Sequence, residues 1–134
     1  MFLCNFAALK FQTRNPKPET RNPKPETMYI YNETSNIDES IHDQWLAWIK
    51  QHIPQVLATG KFKKATLTQV LVDEEMGGVT YSVQYRSHSR EALDDFLKHD
   101  AEKLQSEAFK LFGDKVLSFR TELQVIDEYT VNFK

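Results

Sequence analysis

The residues able to do chemistry are few. His52 stands directly before Ile53-Pro54 near the end of an amphipathic run. An imidazole there, beside a sheet-mouth cavity, can move a proton at neutral pH. Arg120 and Glu122 lie two residues apart in an alternating segment and therefore share one strand face. An arginine fork at that position suits a carboxylate, and the glutamate beside it is a proton acceptor. Trp45 and Trp48, at helical spacing, can stack on an aromatic ligand. The candidate catalytic residues are therefore His52 and Glu122, and the candidate ligand-binding residues are Tyr29, Tyr31, Trp48, Gln84 and Arg120. Each has a plainer reading. A histidine before a helix-ending Ile-Pro can cap carbonyls or pack its ring, paired strand charges often satisfy a cross-strand neighbour, and tryptophans at this spacing belong to a core.

Other chemistries find little support. His42, His52, His88 and His99 show no two-histidine spacing backed by a third ligand, so no metal site is expected. No motif calls for a cofactor. The only cysteine is Cys4, which removes an internal disulfide framework and a cysteine-based zinc site. The 134 residues carry 17 Lys plus Arg against 19 Asp plus Glu, a net charge of −2, without the basic footprint of a nucleic-acid or membrane-surface binder. No apolar stretch approaches the length of a membrane span. With 40% apolar residues, the chain fits one soluble domain, expected in the cytoplasm.

Composition shifts at Met28. Before it lies the tandem heptapeptide Arg14-Asn15-Pro16-Lys17-Pro18-Glu19-Thr20 and Arg21-Asn22-Pro23-Lys24-Pro25-Glu26-Thr27. Apart from its prolines each unit has no apolar side chain, so nothing offsets the entropy of ordering it. The heptapeptide can be encoded by the seven-base unit CGAAACC read three times. Residues 1–27 are therefore expected to be a disordered, translated upstream sequence with the natural start at Met28; a real Pro-rich linker is the alternative. A signal peptide is disfavoured, because the apolar residues from Phe2 to Leu9 follow no basic region and are broken by Asn5. Without this segment the chain holds twelve basic and seventeen acidic residues, and no cysteine.

Residues 28–128 are expected to form the domain, with 129–134 a flexible tail. Met28 to Thr34 is rich in β-formers, and Ile37, Ile41, Trp45, Trp48 and Ile49 then recur at helical spacing, with Pro54 marking the end of that helix. Phe62 to Val72 and Val79 to Arg86 alternate around a Gly77-Gly78 connection, which predicts a hairpin. Ser89 caps a second helix with the stripe Leu93, Phe96, Leu97, Ala101, Leu104, Ala108 and Leu111, ended by Gly113. A fourth strand follows, with Leu117, Phe119, Leu123 and Val125 on one face.

The order β-α-β-β-α-β predicts an α+β, ferredoxin-like fold, a four-stranded antiparallel sheet with two helices on one face. The uncovered face is expected to carry Thr66, Thr68, Val70, Val72, Thr80, Ser82, Gln84, Arg86, Ser118, Arg120, Glu122 and Gln124, with Tyr29 and Tyr31 joining them. Such a face can meet water, a ligand or a second subunit. Val70 and Val72 read as an apolar seam favouring a homodimer.

Several segments carry a resemblance: Asn36 to Leu46, His52 to Phe62, Tyr81 to Tyr85 and Phe119 to Leu123. The chain from Met28 to Glu128 resembles the bacterial domain-of-unknown-function family 4286, which brings no reaction with it. More distantly, Trp45 or Trp48 followed by His52-Ile53-Pro54 is similar to the dimeric α/β-barrel superfamily. That likeness implies a dimer, and the superfamily includes monooxygenases, haem-degrading enzymes and small isomerases. Two functions are thus expected: a homodimeric binding or interaction module, or a cofactor-independent enzyme acting on a small molecule.

Overall fold

The computed structural model describes residues 28–72, 75 and 77–131. The repeat and the whole extension assigned to residues 1–27 lie outside the described residues, as do 132–134 of the tail. The described elements are β1 (Tyr29–Ile37), a 3-10 turn (Glu39–Ile41), α1 (His42–Leu57), β2 (Lys64–Gln69), β3 (Val79–Ser87), α2 (Arg90–His99), α3 (Ala101–Phe112), a second 3-10 turn (Gly113–Lys115) and β4 (Val116–Gln124).

The four strands form one antiparallel sheet in the order β2-β3-β1-β4. Alternate residues of the two central strands, Tyr31 and Ile37 from β1 and Tyr81, Val83 and Tyr85 from β3, are buried against Trp45, Ile49, Val56, Leu93, Phe96 and Ala101 of the helices. One phase of each central strand therefore points into a single core, and all three helices cover that same face. The arrangement is the ferredoxin-like one predicted from the element order.

Local chemistry sets the boundaries. Asp38 Oδ1 accepts from the Ser40 amide at 2.8 Å, capping the turn that leads into α1. Ser89 Oγ accepts from the Ala92 amide at 3.0 Å and starts α2. Gly78 has a φ of +84°, and a Cβ there would sit 2.8 Å from the Ile37 carbonyl, so the hairpin return needs glycine.

Two helix expectations are corrected. Pro54 lies inside α1 rather than ending it, because the one bond its missing N–H removes falls in the last turn, where buried Val56 still anchors the helix. The second helix is two, broken at Asp100. Lys61 Nζ holds that junction from outside, 2.8 Å from Asp95 Oδ2 and 3.0 Å from Asp100 Oδ2. β2 is also shorter than predicted; Phe62 leaves the sheet to enter the core, and Val72 is exposed.

The largest correction concerns which way the strands face. Tyr31 is buried beneath the helices, and Tyr29 shares its phase, so neither belongs to the uncovered face. In β4 the register sets Ser118 opposite Ser35, Arg120 opposite Glu33 and Glu122 opposite Tyr31. Ser118, Arg120, Glu122 and Gln124 therefore project to the helix side, and Leu117, Phe119 and Leu123 to the uncovered side. Apolar alternation marks the face to be buried, but β4 is an edge strand and the helices shield its neighbours better than itself. Its apolar phase looks outward, with Phe119 71% and Leu117 59% exposed.

Candidate ligand-binding site

Because β4 turns its polar phase inward, charged and hydroxyl groups meet under the helices. A chamber of about 50 Å³ lies between the sheet and α1, α2 and α3, lined on the sheet side by Tyr31, Glu33, Ser35, Tyr85, Ser118 and Arg120. The helices contribute Trp45, Trp48 and His52 from α1, and Leu104, Gln105 and Ala108 from α3. An outer groove of about 190 Å³ runs between α3 and β4 and shares Gln105, Ala108, Val116, Ser118 and Arg120 with the chamber. These five residues form the neck between the two spaces. Exposed Phe109 stands on the outer wall.

The neck is charged but balanced. Arg120 Nη2 sits 3.0 Å from Glu33 Oε2, each side chain being mostly withdrawn from water. Burial pushes the Glu33 carboxyl above its ordinary value, and the Arg120 charge opposes that rise without cancelling it. Beside the pair, Ser35 and Ser118 hydroxyls lie 2.8 Å apart across the β1–β4 ladder. Gln105 Nε2 donates to Tyr31 Oη at 3.3 Å. Burial, reinforced by the Glu33 charge, raises the Tyr31 hydroxyl and keeps it protonated.

Deeper in, polar groups lack partners. Among the described residues, the buried side-chain atoms without a hydrogen-bond partner are His52 Nδ1 and Tyr85 Oη. The His52 ring stacks on Trp48 with centroids 4.3 Å apart, and its Nδ1 is 3.9 Å from Glu107 Oε1, beyond hydrogen-bond reach. Burial lowers the imidazole below its ordinary value, and the Glu107 charge pulls the other way. The ring is therefore neutral at pH 7. Tyr85 is 1% exposed, and burial first, then the Glu33 and Tyr31 groups, raise its hydroxyl far above the ordinary tyrosine value. A buried hydroxyl without a partner costs about 1–3 kcal/mol, which a bound polar atom would recover. The aromatic rings of Tyr31, Phe62, Tyr85 and Phe96 pack together at this end, with Phe62 and Phe96 centroids 4.8 Å apart.

Of the residues singled out in the sequence, the fold brings Tyr31, Trp48, His52 and Arg120 to this chamber. It keeps three away from it. Glu122 shares the helix-side phase but pairs with Arg90 Nη2 at 3.1 Å, further along β4. Tyr29 lies under the same guanidinium, 5.9 Å from its ring centroid. Gln84 is on the uncovered face, where its Nε2 donates to Asn32 Oδ1 and Ser82 Oγ, each at 3.2 Å. Sequence reasoning missed Glu33, Gln105 and Tyr85. Glu33 could have been found: it stands in the same strand phase as Tyr31 and Ile37, and a carboxylate in a core phase requires a partner.

Metal chemistry has no assembled donor set, since no group of three or more His, Cys, Asp or Glu side chains among the described residues is placed to hold an ion. No helix among them is long and apolar enough to cross a membrane.

An antiparallel four-stranded sheet, helices on one face and a cavity between the layers define a ferredoxin-like domain. Two solved structures share that fold. One is a dimeric ferredoxin-like protein from an uncultured marine organism, with TM-score 0.58 and 10% identity, covering 78% of this chain and 99% of its own. The other is a mutant of SnoaB, a cofactor-independent oxygenase from Streptomyces nogalater, with TM-score 0.53 and 10% identity, covering 77% of this chain and 96% of its own. No curated protein matches the chain in sequence. The family described as Domain of unknown function (DUF4286) matches residues 28–126, and the chain belongs to it.

Proposed function

We propose that this protein is a homodimeric small-molecule-binding module whose ligand enters the chamber between sheet and helices. The observation that carries the reading is the pair of unpartnered atoms, His52 Nδ1 and Tyr85 Oη, in a chamber that opens through a neck to an outer groove. Concave, largely apolar sites with a few convergent polar groups are where small ligands bind. Tyr31, Trp48 and Arg120 keep their proposed binding roles, and His52, expected as a catalytic residue, is here a binding one; Tyr29, Gln84 and Glu122 would act only outside the chamber.

A second copy is the proposed occupant of the uncovered face. Leu117, Phe119 and Leu123 form an exposed apolar stripe on β4, and a structural neighbour is described as dimeric. The apolar seam expected at Val70 and Val72 is thus exchanged for one on β4. The cytoplasmic location expected from the sequence is retained as part of this proposal.

Turnover of the bound molecule is the second reading. It is favoured by His52, a neutral imidazole whose unpartnered Nδ1 can, in the Nε2–H tautomer, take a proton from a bound hydroxyl. A cofactor-independent oxygenase on the same fold is consistent with it.

A thermal-shift screen on the full chain tests the main reading, because a ligand well above its dissociation constant raises apparent stability. Ala108→Trp fills the neck. The expected result is a compound that raises the melting temperature of the wild type and leaves that variant unmoved; a shift equal in both would place the ligand elsewhere and overturn the reading.

A further inference from the structure

We infer that the ligand is an uncharged aromatic molecule bearing a hydroxyl or carbonyl oxygen, its polar end in the chamber with Tyr85 and its ring at the neck beside Ala108. The inference rests on the proposed binding function and names the chemistry of the molecule bound.

Charge selects against ions. The cation at the neck, Arg120, is already held by Glu33 at 3.0 Å. An anionic ligand would share Arg120 with the partly buried Glu33 carboxylate, and a cationic one would share Glu33 with the guanidinium, so each meets a like charge beside its counter-ion. Either arrangement sets like charges together in a site mostly withdrawn from water, which is unfavourable. The remaining titratable groups that line the chamber, His52, Tyr31 and Tyr85, are neutral, and Glu107, outside the lining, stands 3.9 Å from His52 Nδ1. What the chamber lacks is a hydrogen-bonding atom, not a counter-ion. A hydroxyl both donates and accepts, so it can serve Tyr85 Oη or His52 Nδ1 in either tautomer.

Size fixes how the molecule sits. A water needs about 10–15 Å³ of such space, whereas an apolar cavity that takes benzene measures about 150 Å³. The chamber of about 50 Å³ admits a polar end but not a whole ring. The ring must then lie across the neck, where Ala108 is the small side chain that α3 contributes, and reach the outer groove of about 190 Å³ beside Phe109. Ala108 becomes the residue that sets how wide a ring can pass.

Three probes of one size separate the charges: phenol, benzoate and benzylamine, titrated at pH 7 into the full chain by calorimetry. Phenol is expected to bind at least about tenfold more tightly than either ion, since each ion meets a like charge in the Glu33–Arg120 pair. Tyr85→Phe is expected to weaken phenol about five- to tenfold, the loss of one hydrogen bond, while toluene binding stays the same. Tightest binding of benzoate or benzylamine overturns the inference and leaves the cavity a binding site. Unchanged phenol affinity in Tyr85→Phe overturns it as well. If neither phenol, benzoate, benzylamine nor toluene binds, both the inference and the function beneath it fall.

Discussion

Arg120 Nη2 lies 3.0 Å from Glu33 Oε2, joining two residues that the β1–β4 ladder sets directly opposite each other. Arg120→Leu would leave the Glu33 carboxylate alone in a mostly buried site. The expected cost is about 1–3 kcal/mol, below the value for a fully buried pair because both groups keep some contact with water. Urea denaturation measures it. The double variant Glu33→Gln with Arg120→Leu is expected to regain part of the loss, since no orphaned charge remains.

The same carboxylate gives a pH signature. Its value in the folded protein is raised above the ordinary 4.5, so the folded state holds the proton more tightly than the unfolded chain. Its stabilising contribution is therefore complete below the ordinary value and fades as pH rises through the folded value. Glu33→Gln should flatten this part of the stability profile in the acid range, followed by denaturation at a series of pH values.

His52 has the opposite sign. Burial holds its imidazole below the ordinary 6.5, so protons bind the unfolded chain first. The stability this neutral ring supports is present above that value and is lost as pH falls through the folded one. NMR of the ring Cε1–H should show a titration midpoint below 6.5, and Glu107→Gln, which removes the opposing charge, should lower it further.

Trp45 is buried in the core, with its ring 5.2 Å from that of Tyr81. Trp45→Ala should cost about 3–5 kcal/mol by chemical denaturation, the range for deleting a buried aromatic ring. Trp48→Ala should cost less, because Trp48 is only partly buried, yet it should move the His52 titration toward 6.5 by uncovering the stacked imidazole.

Phe119→Asp addresses the uncovered face. Its side chain is exposed, so the fold of one subunit should change by no more than about 0.5 kcal/mol. Sedimentation should find the wild type dimeric at tens of micromolar and the variant monomeric. A wild type that sediments as a monomer contradicts the assigned occupant of that face.

The architecture is legible in the chain because hydrophobic period is a local property: Tyr81, Val83 and Tyr85 alternate in sequence and point together in the fold. The break at Asp100 is not, since neither glycine nor proline marks it and Lys61, from far along the chain, holds the junction. The facing of β4 misleads for a deeper reason. Leu117, Phe119 and Leu123 have the pattern of a core strand, but nothing local says whether a strand buries that phase against its own helices or against another molecule. That one inversion carries Arg120 from an open surface into a cavity and hides its pairing with Glu33. Gln84 and Glu122 stand out by side-chain chemistry alone, and their hydrogen bonds and ion pairs are set by register, which a lone strand does not encode.

The most direct test of the proposed ligand site is amide chemical-shift mapping of the full chain during titration with phenol. Saturable shifts are expected to concentrate at Gln105, Ala108, Val116, Ser118 and Arg120, the residues of the neck. Shifts concentrated instead at Thr66, Thr68, Ser82 and Gln84, on the opposite side of the sheet, would contradict it.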